Sequence, residues 1–165
     1  MIPVVQELYR SMPSAEQVAR VAVRLAAALV IGTLIGFQRE LAHKPAGLRT
    51  HLLVAIGTAL IVVTAVNSGM PTGDVARVIQ GLITGVGFLG GGTILKLTHE
   101  HEIRGLTTAA GIWLTAAASI AAGLGEFMAA FVGLLFALFV LAVIGRFGGP
   151  PTDRKENEPT DRQSL

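Results

Sequence analysis

"KPAGLRTHLLVAIGTALIVVTAV", residues 44–66, changes character part-way along. Its first eight residues carry Lys44, Arg49 and His51, and the fifteen that follow carry no charge at all. A long uncharged apolar run reads as a membrane-spanning helix. Cations at its mouth match the bias that keeps Lys and Arg on the cytoplasmic side. The stretch therefore decides the class, an all-α integral membrane protein, and supplies a first indication of its orientation.

The rest of the chain agrees. Of 165 residues, 52% are hydrophobic and only 15% charged, with a mean hydropathy of +0.62. Soluble domains carry about a quarter charged residues. Thirteen basic and eleven acidic residues nearly cancel, so nothing points to nucleic acid. Twenty glycines and 5% aromatics suit a closely packed helical bundle rather than a barrel with aromatic girdles. Cysteine is absent, which excludes disulfides and thiolate metal sites.

The first apolar run, 18–37, is about 30 Å long at ~1.5 Å per residue, the thickness of the hydrocarbon core. It exceeds the roughly 7–15 residues of a signal-peptide core and reads as a retained helix. Ser14 and Gln17 ahead of it have capping-box spacing. Five spans follow: 18–37, 48–66, 77–95, 106–123 and 127–145. The expected organisation is an extracytoplasmic segment 1–17, a five-helix membrane domain 18–146 with a Gly-rich third helix, and a tail 147–165 that is disordered by composition. Short connections make consecutive helices antiparallel.

Arg39, Lys44, Arg49, Lys96, Arg104, Arg146, Arg154, Lys155 and Arg162 share one side, against Arg10, Arg20, Arg24 and Arg77 on the other. The richer side is expected to be cytoplasmic, with the N-terminus outside and the C-terminus inside. "GLRT" (47–50) and "GLTT" (105–108) open the second and fourth spans alike. Either a parallel helix-pair repeat or chance accounts for the echo.

The third span, "ARVIQGLITGVGFLGGGTIL", pairs Gly81 with Gly85 and Gly87 with Gly91, as the first pairs Gly32 with Gly36. Small residues four apart let helices approach closely. Gly90, Gly91 and Gly92 in succession predict an unwound or kinked stretch, or a packing face that ends in a loop. Gln80, Thr84, Gly87 and Gly91 form one polar and small stripe, and Thr108, Gly111, Thr115 and Ser119 form another. The two are expected to meet, as structural glue or as the lining of a path. Trp113, near mid-span, is expected to pack inside and donate its N–H there.

Arg24 reads as a snorkelling side chain, Asp74 and Arg77 as an outer-face ion pair, and Glu126 as a carboxylate at a helix N-terminus. Arg39, Glu40, Lys44, Arg49, His51 and Arg104 form a cytoplasmic charged cluster, explained by topology or by an anion pocket. "HEHE" (99–102) reads as a solvated loop, the alternative being a metal site. No cofactor or metal is expected, and no Ser–His–Asp grouping supports an enzyme.

"LIGFQRE…KPAGLRTHLLVAIG", "RVIQGLITGVGFLGGGTIL" and "IRGLTTAAGIW" together resemble the membrane domain of the MgtC/SapB family over residues 20–145. The resemblance implies five helices in a bacterial inner membrane, with a link to magnesium limitation, ion homeostasis and virulence-related survival. It marks as characteristic Arg39, Glu40, Gly47, Arg49, Thr50, His51, Gln80, Arg104, Thr107 and Thr108, and the Gly-rich motif at Gly87, Phe88, Leu89, Gly90 and Gly92. Gly91 stands where the family commonly has Ala, and the polar tail of about 20 residues after the bundle leads to the expectation of a short, SapB-like member without the soluble domain. The expected function is non-enzymatic: contact with other membrane proteins or with copies of itself within the bilayer. The alternative is a small transporter or ion pathway along helices three and four.

Overall fold

The structure, a computed structural model, describes residues 13–97 and 102–144. Five helices make the fold: α1 Ala15–Leu41, α2 Leu48–Asn67, α3 Thr72–Gly92, α4 Leu106–Leu124 and α5 Phe127–Phe139. The first four are long and apolar enough to cross a membrane, and α5 belongs to the shorter apolar stretch Phe127–Val143. The protein is thus an all-α, multi-pass membrane protein whose outward side chains, from Val18 to Val143, are large and apolar.

Local chemistry sets the helix ends. Ser14 and Gln17 form the reciprocal capping box at the start of α1. His43, at φ 52, takes the left-handed turn that ends α1 and opens the α1–α2 connection ahead of Pro45. At the far end of α4, Arg24 of α1 donates to the carbonyl of Gly123, 3.1 Å away. Arg24 therefore ties α1 to the end of α4 and satisfies one of its last carbonyls, a more specific role than snorkelling.

Helix α4 is the hub, packed against all the others, while α3 touches chiefly α4. The apolar core joins Ala28, Ile31 and Ile35 of α1 to Ala55 and Ala59 of α2, Ala118 and Ala122 of α4, and Leu134 of α5. Alanine dominates it because the backbones come close. A Cβ on Gly32 would stand 2.8 Å from the carbonyl oxygen of His51, and one on Gly36 would stand 2.8 Å from Cα of Leu48.

Three features depart from the sequence reading. The triple glycine does not unwind: Gly90–Gly92 are the last turn of α3, closed by Thr93 N–H on the Gly90 carbonyl. The helix runs from Thr72, five residues ahead of the expected start, and after Gly92 the chain enters a small antiparallel hairpin, β1 Leu95–Leu97 with β2 Glu102–Arg104. Finally, α5 ends in a π-helical turn, Val140–Ile144, whose Leu141 carbonyl accepts from Gln38 Nε2 at 3.1 Å.

The segments 1–12 and 145–165, and with them the tail and Arg146, lie outside the described residues, as do His99, Glu100 and His101 of "HEHE".

Candidate functional site

The interior polar groups gather between α1, α2 and α4. Arg39 is 3% exposed and His51 and Thr115 are fully buried. Arg39 Nη2 donates to Thr108 Oγ1 at 3.1 Å. Two turns deeper along α4, His51 Nδ1 lies 2.8 Å from Thr115 Oγ1, and the Thr115 hydroxyl donates to the Gly111 carbonyl at 2.9 Å. A hydroxyl has a single hydrogen, so His51 Nδ1 must be the donor. In the neutral ring Nε2 is then a bare acceptor, and it meets no donor. Arg39 Nε, Gln38 Oε1 and Ser119 Oγ are also buried without partners.

This arrangement follows from helix geometry. Buried residues of α4 recur at 108, 111, 112, 115, 116 and 119, a helical stripe facing α1 and α2. Gly111 packs against the imidazole, and a Cβ there would lie in ordinary contact, 3.6 Å from His51 Cε1.

The expected charged cluster divides. Arg39 and His51 turn inward, whereas Lys44, Arg49 and Arg104 are exposed. Glu40 crosses to the start of α2, where its Oε2 accepts from Leu48 N–H at 2.7 Å. A carboxylate at a helix N-terminus is favourably placed. The six do not form one pocket because helix rotation sends neighbours such as Arg39 and Glu40 to different faces.

The expected meeting of stripes fails as well. Gln80 and Thr84 are exposed, and Thr84 spends its hydroxyl on its own helix, at the Gln80 carbonyl. The α4 stripe turns to α1 and α2 instead. Of the Gly-rich motif only Gly90 is buried, against Ala109, while Gly87, Gly91 and Gly92 face open space. Trp113 is 47% exposed, contrary to expectation, since it stands on the face of α4 opposite Gly111 and Thr115. Thr107 is exposed too. Asp74 and Arg77 pair at 2.6 Å on the surface. Gln38, inside the "FQRE" motif, is the site residue that sequence reasoning missed. Its signal was position alone, beside Arg39.

These features define a class: a small polytopic membrane protein with a buried polar interior at one end of its bundle. The chain matches the MgtC family over residues 25–149 and belongs to that family. It is similar to protein MgtC of Brucella abortus, 44% identical over 109 residues, which cover 65% of this chain and 44% of that protein. It is also similar to protein SrpB of Synechococcus elongatus, 41% identical over 113 residues, 62% of each chain. Protein MgtC of Salmonella typhimurium is 36% identical over 105 residues, 64% of this chain and 44% of the relative. The chain therefore spans less than half the length of the MgtC relatives. No solved structure matches it.

Proposed function

We propose that this chain is a non-enzymatic bacterial inner-membrane protein of the MgtC/SapB type that acts by pairing with a second copy of itself through α3. Its link is to magnesium limitation and ion homeostasis, and its cationic end, where α2 and α4 begin, faces the cytoplasm. The observation that carries the reading is the outward face of α3. At Gly81, Gly85, Gly87 and Gly91 nothing lies within 4 Å of where a Cβ would stand. Gln80 on the same helix is exposed, and its side-chain amide makes no hydrogen bond among the described residues.

A bare glutamine amide against lipid is unfavourable. A second copy relieves it, because an amide both donates and accepts and so can pair with its own equivalent across a two-fold axis. Close backbone approach through the glycines supplies the packing. Beside this face runs an apolar groove of about 610 Å³ lined by Leu53, Val54, Gly57, Ile61, Gly81 and Gly85, which the partner's α3 can fill. A path between α3 and α4 finds no support, because their polar stripes face different ways.

The natural absence of cysteine makes the test simple. Gly85→Cys, oxidised in native membranes, is expected to give a covalent dimer, and Gly133→Cys on the open face of α5 is expected to give none. Equal bands from both positions, or none from Gly85→Cys, would overturn the reading.

A further inference from the structure

We propose that the cationic end of the bundle binds a small diffusible oxyanion of the phosphate or sulfate type between the first turns of α2 and α4, with Arg39 as its principal charge. The inference does not depend on the α3 contact.

The first argument is charge. Arg39 is 3% exposed, yet neither ion pair found among the described residues includes it. Its guanidinium has one hydroxyl acceptor, Thr108, and Nε has none. The neighbouring acid, Glu40, is engaged at Leu48. The other ring in the cluster, His51, brings no negative charge. Taking a cation out of water without a counter-ion is costly, and breaking such a pair is costlier still. An anion drawn from solution supplies the counter-charge that the described residues do not.

The second argument is the pair of helix starts. Helices α2 and α4 both begin at this end, and neither has a side-chain cap. Each therefore presents backbone N–H groups with no intrahelical partner and the positive end of its dipole. Only one of those donors, Leu48 N–H, is met by a side chain. The "GLRT" and "GLTT" echo is this feature seen in sequence: a glycine at the N-cap, then a first turn ending in threonine.

Of the two glycines, Gly105 cannot be exchanged for a capping residue, and at Gly47 the Glu40 carboxylate already holds the place of one. A Cβ on Gly47 would collide with the Glu40 carboxylate. Gly105 sits at φ 97, where a side chain is strained, and a Cβ there would strike the Thr93 carbonyl. The fold thus excludes a capping side chain at Gly105, while Glu40 meets one donor of α2, and the other first-turn N–H groups are left to an outside acceptor.

The donors select the ligand. First-turn amides and a guanidinium edge outnumber what a halide accepts with direction, and they match the several acceptor oxygens of a tetrahedral oxyanion. A free oxyanion and a lipid phosphate offer the same acceptor oxygens, and the titration below separates them.

The test uses the full chain in nanodiscs of zwitterionic lipid, in gluconate buffer, titrated with sodium phosphate or sulfate while the unfolding temperature is read. Wild type is expected to show a saturable rise, as a ligand of the native state produces. Arg39→Gln is expected to bind about 10- to 100-fold more weakly, the worth of a charge-assisted hydrogen bond. Arg39→Lys, which keeps the charge and so protects folding, loses the planar fork and weakens binding about tenfold. Arg77→Gln, at the other end of the bundle, leaves the response unchanged. The proposal is overturned if wild type shows no saturable response, if a folded Arg39 variant responds as wild type does, or if the response needs phosphatidylglycerol and ignores free phosphate.

Discussion

In α1, Gly32 and Gly36 stand four residues apart, and a methyl group on either would press within 3 Å of α2. In α3, Gly81 and Gly85 have the same spacing, and a methyl group on either would meet nothing. The pattern is shared, but its surroundings are not. The glycines of α1 are flanked by buried Ala28, Ile31 and Ile35 and close on the inner polar site. Those of α3 are flanked by Gln80 and Thr84, both outside. Small-residue spacing states that a backbone can approach closely. The neighbouring residues state whether the approach is made within the protomer or left for another chain.

The strongest way to break the comparison is to fill one glycine on each helix. Gly36→Ala places its new carbon against backbone of α2 that has no room to yield, and is expected to cost about 1–3 kcal/mol in reversible unfolding. Gly85→Ala, in open space, is expected to leave the protomer unharmed or to stabilise it by up to about 1 kcal/mol through helix propensity. Equal losses at the two positions would mean that α3 is packed in the protomer after all.

A smaller effect sharpens the polar side of the contrast. Thr115→Val keeps the shape but removes the acceptor of His51 Nδ1, and is expected to cost about 1–2 kcal/mol. Thr84→Val, whose hydroxyl serves only its own helix, is expected to stay within about 0.5 kcal/mol. Unfolding midpoints of the two variants measured side by side decide this. Smallest of all, Asp74→Asn breaks an exposed ion pair and is expected to cost less than about 1 kcal/mol, with the loss fading as salt is raised.

Much of the fold was legible because a hydrocarbon core imposes long apolar runs, and the five runs stand out between short polar connections. The capping box at Ser14 and Gln17 was legible for the same local reason. The buried stripe Thr108, Gly111, Thr115 and Ser119 was visible as helical spacing, but spacing does not say which neighbour a stripe meets. Its counterparts, Arg39 and His51, lie on two other helices and were placed with the surface charges. Trp113 was misplaced by its residue type, although its position opposite Thr115 already put it outside. Of the two readings of the glycine run, the unwound stretch fails because helix propensity is a weak local preference. In α3 the three glycines fall in the final turn, where the helix was about to end.

The account rests most heavily on α3 being a face between copies rather than part of the protomer's own packing. Native mass spectrometry of the Gly81→Leu, Gly85→Leu double variant, taken with its unfolding temperature, tests this directly. The account predicts a dimer for wild type and a monomer for the variant, with the unfolding temperature of the isolated protomer unchanged. A variant that remains dimeric, or a protomer that unfolds when these two glycines are filled, would contradict it.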